Sequence, residues 1–340
     1  MFEPVAEPGS PMRLLLLSLL TCLLAFSSMI AGSSPPKHAN RGRAPAREVA
    51  LTFDDLPIAG DSAVPQPGSQ LARAQLVTQR ILAALRAERA PAIGFVNENR
   101  VRVPRETQAR TSLLKDWLDA GMLLGNHTYS HPDFNTTSLP DYENDIIRGE
   151  QITRPLMRAK GIERFYFRHP FTHTGPTLEA KRALEQFLQS HGYTIAPFTI
   201  EHSDYIFNVA WLRARQRQDQ PVAEKVRLAY LDYLGTMFDY IEQRSRDLLG
   251  YEVRQILLTH ANELNAECLP EILSRLRSRG YSFISLDRAL EDRAYRTRDE
   301  FVGRYGPSWL HRWAAGMGSK LTNRDEPDPP KFVMDLYQPN

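Results

Sequence analysis

Short apolar segments alternate with amphipathic segments along most of the chain, and this alternation restricts the possible folds more than any other feature. The apolar segments have the length of strands and occur, in order, at 49–53, 92–96, 122–124, 165–167, 193–200, 255–259 and 281–286. Between them, apolar residues recur at helical spacing at 70–89, 111–120, 139–160, 178–190 and 271–279. The sequence therefore predicts an α/β fold in which about seven parallel strands form a distorted (β/α) barrel.

Three features modify this pattern. The helical segment 139–160 contains Pro155, which we expect to bend or split it. The stretch 206–250 is longer than one crossover needs, and its spacing predicts two helices, at 206–217 and 222–249. After the last strand, the segment 291–340 holds a helical stretch with two tryptophans and then a tail rich in Pro and Asp.

Trp309 and Trp313 lie four residues apart in that last segment. On a helix this spacing places both rings on one face. Two such rings could bind a sugar, but large apolar side chains on one helix face more often pack against the body of a protein. We therefore expect them to pack against the barrel.

The N-terminus has the pattern of an export signal. Arg13 precedes an apolar run at 14–26, and small residues follow it. We expect translation to start at Met12, the segment to be removed, and the protein to be periplasmic or extracellular. The alternative is an uncleaved anchor, although the run is short for a span of about 20 residues. The predicted organisation is a signal peptide and linker at 1–46, a main domain at 47–290 with a helical insertion at 206–250, and an extension at 291–340.

Charge and cysteine content exclude some classes of protein. The 340 residues include 42 basic and 40 acidic side chains, giving a net charge of +2, so no strong field favours nucleic acid as a partner. Without the signal segment, no stable association with a membrane is expected. Cys22 lies in the apolar run, which leaves Cys268 as the single thiol of the mature chain and excludes an internal disulfide.

Polar residues follow two of the strands. Asp54 and Asp55 end the first strand, and His127 and His131, four residues apart, follow the third. Each pair alone is weak evidence, since a solvated turn or two surface histidines would explain it. If 127–131 forms a helical turn, both imidazoles lie on one face. Two imidazoles and one carboxylate are the ligand set of many catalytic zinc sites, so together the pairs predict a metal site.

Three further strand ends carry chemically useful groups. Arg168 follows the strand 165–167, and an arginine there can bind a carboxylate through two nitrogens. Asp204 follows the strand 193–200, and His260 ends the strand 255–259. Histidine suits a general acid, and a carboxylate beside it would raise its pKa. Taken singly, a turn or a hydrogen-bonded core histidine remains the alternative for each.

In this order, the five segments resemble the polysaccharide deacetylase family, also called the NodB-homology family or carbohydrate esterase family 4. The segments that carry the resemblance are TFDD at 52–55, HTYSH at 127–131, RHPF at 168–171, DY at 204–205 and LLTH at 257–260. The resemblance extends over 47–288. It implies a NodB-type barrel and metal-dependent hydrolysis of the N-acetyl amide of a glycan, such as the N-acetylglucosamine units of peptidoglycan or chitin-like polymers.

The resemblance also implies a role for each matching residue. Asp55, His127 and His131 would be the ligands of a divalent metal ion, with zinc favoured and cobalt, nickel or iron possible. Asp54 would be the base that activates the attacking water.

Four more residues would complete the catalytic site that the resemblance implies. Arg168 would orient the base. The backbone N–H of Phe171 would help to stabilise the oxyanion. His260 would be the general acid, with Asp204 tuning it.

This chain departs from the family pattern in three places. Tyr205 stands where the family usually has tryptophan, the insertion 206–250 is longer than usual and would cap or reshape the substrate groove, and the extension 291–340 is not shared. Two alternatives to an N-deacetylase remain open. One is an O-acetyl esterase or another deacylase with the same metal site, and the other is a catalytically silent glycan-binding relative.

Overall fold

The computed structural model describes residues 47–59, 64, 68–319 and 325–338. These residues all fall in one structural unit, Ala44–Asn340. The predicted start at Met12, the signal segment and the linker lie outside the described residues. In the part that is described, no helix combines the length and the hydropathy that crossing a membrane requires.

Seven parallel strands form one sheet. They are β1 (Arg47–Leu56), β2 (Ala92–Val96), β3 (Leu123–Asn126), β4 (Phe165–Phe167), β5 (Tyr193–Ile195), β6 (Gln255–His260) and β7 (Tyr281–Ile284). Their order is β5-β4-β3-β2-β1-β6, and β7 pairs with the first half of β1. β1 is buried from Val49 to Leu56, as expected for a parallel strand covered on both faces.

The sheet is rolled up, because the chain after β5 returns to β6. Ile200 forms a parallel bridge with Leu257, and the Leu258 N–H donates to the Ile200 carbonyl at 2.8 Å. The predicted distorted barrel of about seven parallel strands is confirmed. The predicted strand 193–200 is wrong in length, since β5 ends at Ile195. Pro197 follows shortly after and has no N–H to donate to a neighbouring strand.

Helices connect the strands and cover the sheet. They are α1 (Gln70–Ala87), α2 (Thr107–Asp119), α3 (Leu139–Arg148), α4 (Thr153–Ala159), α5 (Leu178–Ser190), α6 (Asp204–Gln216), α7 (Gln220–Leu249), α8 (Glu263–Ser278), α9 (Leu286–Leu290), α10 (Trp309–Gly316) and α11 (Lys331–Tyr337). Ser69, Ser138 and Thr177 begin α1, α3 and α5 by accepting a backbone N–H of the first turn.

The predicted helix 139–160 is two helices, α3 and α4, but Pro155 does not cause the split. The break follows Arg148, and Pro155 lies in the first turn of α4, where its missing N–H costs little. A Cβ atom on Gly149 would lie 2.5 Å from the backbone carbon of Thr128. The glycine therefore lets the loop after β3 lie against the end of α3.

The insertion and the extension contact each other. The two helices predicted in 206–250 are α6 and α7. Trp309 and Trp313 are buried, as expected, with ring centroids 5.4 Å from Phe198 and 5.2 Å from Tyr295. α11 was not predicted from the Pro- and Asp-rich tail. It ends against α6, where Arg213 donates to carbonyls of its last turn.

Candidate metal centre and active site

Asp54 and Asp55 lie where β1 becomes irregular. In a regular strand, neighbouring side chains point to opposite faces. Here Asp55 has a φ of 70°, and the pairing of β1 with β2 shifts between Phe53 and Leu56. Both carboxylates consequently approach one imidazole. His127 Nε2 is 3.9 Å from Asp54 Oδ2 and 3.7 Å from Asp55 Oδ1.

His127 and His131 converge, although residues 127–131 do not form a helical turn. Residues 127–131 form an irregular loop in which Thr128 and His131 have φ values of 68° and 61°. Asp145 of α3 holds this loop by accepting the backbone N–H groups of Tyr129 and Ser130 at 2.9 Å and 2.8 Å. The two imidazole centroids lie 4.9 Å apart. Local hydrogen bonds therefore achieve the convergence that the spacing alone does not.

Asp55, His127 and His131 have the arrangement of a metal site. One ligand atom from each lies within 4.8 Å of the other two. His127 Nδ1 is 2.8 Å from the Arg168 carbonyl, which can only accept, so Nδ1 carries the proton and Nε2 keeps its lone pair. Asp55 Oδ1 is buried and hydrogen-bonds to none of the described residues. An unpaired buried carboxylate oxygen is costly, and a divalent cation would satisfy it.

The protonation states of these three residues suit the binding of a cation. Burial alone would raise the pKa of Asp55, but nearby positive charge, that of Arg100 first, holds that pKa well below its usual range. Arg100 Nη2 lies 3.4 Å from Asp55 Oδ2. Burial lowers the pKa of His127 and of His131, so both imidazoles are neutral and able to act as ligands. Arg100 was not singled out in the sequence, where nothing marks it as a partner of Asp55.

Asp54 is buried beside this group and is held by Arg168. Arg168 Nη1 lies 3.5 Å from Asp54 Oδ2, a contact through one nitrogen rather than two. Arg168 is itself fixed, because Nη2 donates to Thr52 Oγ1 at 3.0 Å and the guanidinium lies 4.9 Å from the Phe95 ring centroid. Since its carbonyl also accepts from His127, Arg168 fixes the position of both Asp54 and a candidate ligand.

Burial raises the pKa of Asp54 to about 6, although Arg168 and His260 act in the opposite direction. A bound cation would lower this pKa again. A carboxylate with a pKa in this range can accept a proton near neutral pH.

The partly buried His260 and the buried Asp204 form a second pair. His260 pairs in register with Asp54 across β1 and β6. Asp204 Oδ1 accepts from His260 Nδ1 at 2.7 Å, and Oδ2 accepts from the His260 N–H at 2.7 Å and from Thr259 at 3.1 Å. Asn262 and Asn265, which the sequence did not indicate, also donate to Asp204.

Asp204 controls the protonation of His260. Burial would lower the pKa of His260, but the nearby carboxylates, Asp204 above all, raise that pKa to about 10. Conversely, His260 and its hydrogen bonds keep the pKa of Asp204 below the usual range although burial would raise it. Near neutral pH the pair is therefore an imidazolium beside a carboxylate.

Phe171 lies at the entrance to the site. It has a φ of 54°, its side chain is 54% exposed, and its ring centroid lies 4.5 Å from that of His131. The adjacent Thr172 is tied to the extension, because its carbonyl accepts from Arg312 at 2.6 Å and its hydroxyl donates to the Gly306 carbonyl at 2.7 Å. The sequence did not indicate Arg312, which is fully buried.

A cavity of about 680 Å³ joins these groups. Six of the predicted site residues line it, namely Asp54, Asp55, His127, His131, Phe171 and His260. The two others, Arg168 and Asp204, lie behind Asp54 and His260 and contact them. The remaining walls come largely from α6, α7 and the extension.

Comparisons with known proteins relate this site to one family. A model described as polysaccharide deacetylase matches residues 41–196. A peptidoglycan-N-acetylglucosamine deacetylase of Bacillus cereus is 32% identical over 125 residues, which are 36% of this chain and 36% of that protein. A chitin deacetylase of Colletotrichum lindemuthianum is 23% identical over 244 residues, covering 72% of this chain and 79% of that one.

Among solved structures, a CE4-family pseudoenzyme from Bacillus anthracis is 16% identical with a TM-score of 0.45, over 78% of this chain and 69% of that chain. The match to the Bacillus cereus relative spans only about a third of that protein's length. The family match includes Asp54, Asp55, His127, His131, Arg168 and Phe171 and ends before Asp204 and His260. Residues 41–196 therefore match the polysaccharide deacetylase family, and the resemblance is confirmed for the three segments that lie within them, at 52–55, 127–131 and 168–171.

Proposed function

We propose that this protein is a metal-dependent deacetylase that hydrolyses the N-acetyl amide of an N-acetylated glycan and releases acetate. The candidate substrates are N-acetylglucosamine units of peptidoglycan or of chitin-like polymers. The observation that carries the proposal is the convergence of Asp55, His127 and His131, within 4.8 Å of one another, on the cavity that Asp54 and His260 also line. The two curated relatives are deacetylases of such polymers by name.

Asp55, His127 and His131 are proposed to hold the metal ion. Two neutral imidazoles and one carboxylate suit zinc, and cobalt, nickel or iron bind similar sets. When bound, the cation would polarise the amide carbonyl and lower the pKa of the attacking water. The Arg168 carbonyl supports this set by fixing His127 in the tautomer whose Nε2 is free to bind.

Asp54 is proposed to be the base. Its buried carboxylate lies beside the three proposed ligands, and Oδ1 makes no hydrogen bond to any described residue. It is therefore able to accept a proton from a water molecule in the cavity. Arg168 holds the other oxygen and keeps the carboxylate aimed at the cavity.

His260 is proposed to be the acid. The amide nitrogen leaves as a neutral amine only if it receives a proton. His260 lies opposite Asp54 on the neighbouring strand and is kept protonated by Asp204. We assign the backbone N–H of Phe171 to the oxyanion, because preformed donors aimed at developing charge lower the barrier.

We also propose that the protein acts in the periplasm or outside the cell. The apolar run at 14–26, read as a signal segment, and the wall polymers named for the two relatives support this location.

Acetate release tests the proposed function. The protein, stripped of metal and reloaded with zinc, cobalt, nickel or iron in turn, is incubated with N-acetylglucosamine oligomers, with peptidoglycan and with an O-acetylated glycan. We expect acetate from the N-acetylated substrates, its loss with a chelator and its return with metal. Unchanged release in the chelator would refute the metal site, and preference for the O-acetyl substrate would make the protein an esterase. No release from any substrate would indicate a silent relative.

A further inference from the structure

Six hydrocarbon side chains form part of the wall of the cavity beside the metal centre. We call this region the aliphatic chamber. It is lined by one residue of the chain after β5, two of α6, two of α7 and one of β6, namely Phe198, Val209, Leu212, Met237, Ile241 and Leu258. These are deep positions: Phe198, Leu212, Met237, Ile241 and Leu258 are only 1% to 3% exposed.

The aliphatic chamber adjoins the reacting groups. Leu258 lies two residues before His260 on β6, so both side chains point to the same face of the strand. The Phe198 ring centroid is 5.9 Å from the guanidinium carbon of Arg168, which holds Asp54. A substrate group that entered the chamber would therefore be attached close to the bond that is broken.

Three polar side chains on the same walls, Ser308, Thr199 and Asn208, are bound to the protein itself. Ser308 donates to the Thr199 carbonyl at 2.6 Å, and Thr199 donates in turn to the carbonyl of Ile256 at 3.3 Å. The side-chain oxygen of Asn208 accepts the Leu264 N–H at 3.0 Å. A sugar hydroxyl placed in the chamber would lose its hydrogen bonds to water and gain few in return, which costs free energy.

Two carboxyl groups, Glu201 and Glu326, also line the cavity. Burial raises the pKa of each to about 7, with Asp204 adding to the effect at Glu201 and Asp328 at Glu326. Near neutral pH a substantial fraction of each is the neutral acid, which is cheaper to place beside hydrocarbon than a carboxylate.

The amide that this site would hydrolyse has one hydrophilic and one hydrophobic side. The nitrogen carries the amino sugar, which is rich in hydroxyl groups, and the carbonyl carbon carries the acyl group. The exposed mouth of the cavity, where Phe171 and Tyr305 are 54% and 71% exposed, can accept the sugar in contact with water. The aliphatic chamber matches only the acyl side.

The cavity is larger than an acetyl group needs. An apolar cavity of about 150 Å³ is enough to hold a benzene molecule. The present cavity of about 680 Å³ lies well within the range of pockets that enclose whole small ligands.

From these observations we propose that the preferred substrate of this protein is an N-acyl amino sugar whose acyl chain is longer than acetyl and lies in the aliphatic chamber. The inference rests on the proposed function, because it uses the same metal ion, base and acid. Water adds to the acyl carbon, the carbon–nitrogen bond breaks, and the products are a free fatty acid and the amino sugar. No other reactant is needed.

A chain-length series tests the proposal. The zinc-loaded protein is given glucosamine oligomers carrying N-acetyl, N-butyryl, N-hexanoyl or N-octanoyl groups, and release of free amine is measured. Burying one methylene is worth a factor of about four in kcat/KM. We expect kcat/KM to rise from acetyl to hexanoyl by at least one order of magnitude, that is, tenfold or more.

Matched leucine variants locate the acyl chain. Leu212→Phe narrows the chamber and should lower the ratio of hexanoyl to acetyl kcat/KM about tenfold, whereas Leu212→Ala widens it and should shift the best chain toward octanoyl. Leu228 of α7 is 44% exposed and does not line the cavity, so Leu228→Phe should leave the ratio unchanged. If Leu212→Phe fails to fold, the alanine variant still gives a result.

The possible outcomes distinguish a failure of this inference from a failure of the proposed function. A rate that falls with every added methylene would overturn the chamber as an acyl site while leaving the deacetylase intact. If the preference for long chains were the same in both Leu212 variants as in the original protein, the assignment of the acyl chain to the chamber would also be overturned. Absence of amine from every substrate, acetyl included, would refute the proposed function itself.

Discussion

The strand ends of the barrel and the walls built by the insertion and extension differ in almost every property. The strand ends carry charged groups, each fixed by a buried partner, as Arg168 fixes Asp54 and Asp204 fixes His260. The walls from α6 and α7 carry hydrocarbon side chains such as Leu212 and Met237. The family match ends at residue 196, before α6 begins. We infer that the sheet and its ends supply the chemistry and that the later segments select the substrate.

The largest effect is expected from removing the proposed base. Asp54→Asn keeps the shape of the side chain but cannot accept the proton, so kcat should fall by about 10²- to 10⁴-fold for every acyl chain. Asp116→Asn, an exposed change on α2, serves as the control and should leave kcat unchanged. Steady-state kinetics of both variants are measured on N-acetyl and N-hexanoyl substrates. If the loss of kcat depended on the length of the acyl chain, the strand ends would also select the substrate, and the division of roles between the two regions would be wrong.

The same division explains what the sequence could predict. Asp54, Asp55, His127 and His131 were predictable because each lies in the chain next to an apolar strand, and parallel strands end at one edge of a sheet. The supporting residues were not, since their contacts are distant in sequence: Arg100 lies 45 residues from Asp55, and Arg312 lies 140 residues from Thr172.

The fold shows the same limit. The strands β2 and β4 and the helix α5 were predicted at their observed bounds from periodicity. The end of β5 was predicted wrongly, because Pro197 decides it, and the shape of the loop 127–131 could not be predicted, because it depends on the hydrogen bonds of Asp145. α11 was not predicted, since its packing on α6 outweighs a weak local signal in a Pro- and Asp-rich tail.

A second prediction concerns the pH dependence that Asp204 imposes. His260 must be protonated to act as an acid, and its carboxylate neighbours raise its pKa, so activity is lost as the pH rises through that pKa. Asp204→Asn removes the main raising charge and leaves the burial that lowers the pKa. The falling limb of kcat against pH should move to lower pH by about one unit or more.

The rising part of the curve of kcat against pH, at low pH, provides an internal control for the Asp204 variant. It reports the proposed base Asp54, which Asp204→Asn does not touch directly, and it should shift much less. An unchanged limb at high pH would show that His260 is not the acid. A pH–rate profile of the zinc-loaded variant decides between these results.

A third prediction tests whether the extension contributes to chemistry as well as to selection. Arg312 donates to the Thr172 carbonyl at 2.6 Å and the Pro307 carbonyl at 2.9 Å, next to Phe171. Lysine keeps the charge but has one nitrogen and cannot make all these bonds. Arg312→Lys should lower the free energy of unfolding by about 1–3 kcal/mol for each carbonyl left unpaired.

The same variant should lower kcat about tenfold for all chain lengths, because displacement of the Phe171 loop costs rate. Denaturant unfolding and kinetics measure the two effects, and Arg298→Lys, at an exposed position of the same segment, is the control. If Arg312→Lys lost stability but kept full kcat, the extension would contribute to the walls of the cavity and not to the chemistry.

The smallest effect is expected at Tyr205, the first residue of α6 after Asp204. Its ring centroid lies 6.2 Å from that of His260 and is edge-on to it, and burial raises the pKa of its hydroxyl above the usual range, so the hydroxyl does not titrate near neutral pH. Tyr205→Phe should therefore change kcat/KM by no more than about twofold, because the ring contact remains. Tyr205→Ala removes the ring and should raise KM by about two- to tenfold with little change in kcat, the range expected for one aromatic contact. If Tyr205→Phe instead lowered kcat as strongly as Asp204→Asn, the hydroxyl would belong with the strand-end chemistry, and the boundary between the two regions would have to be moved into α6.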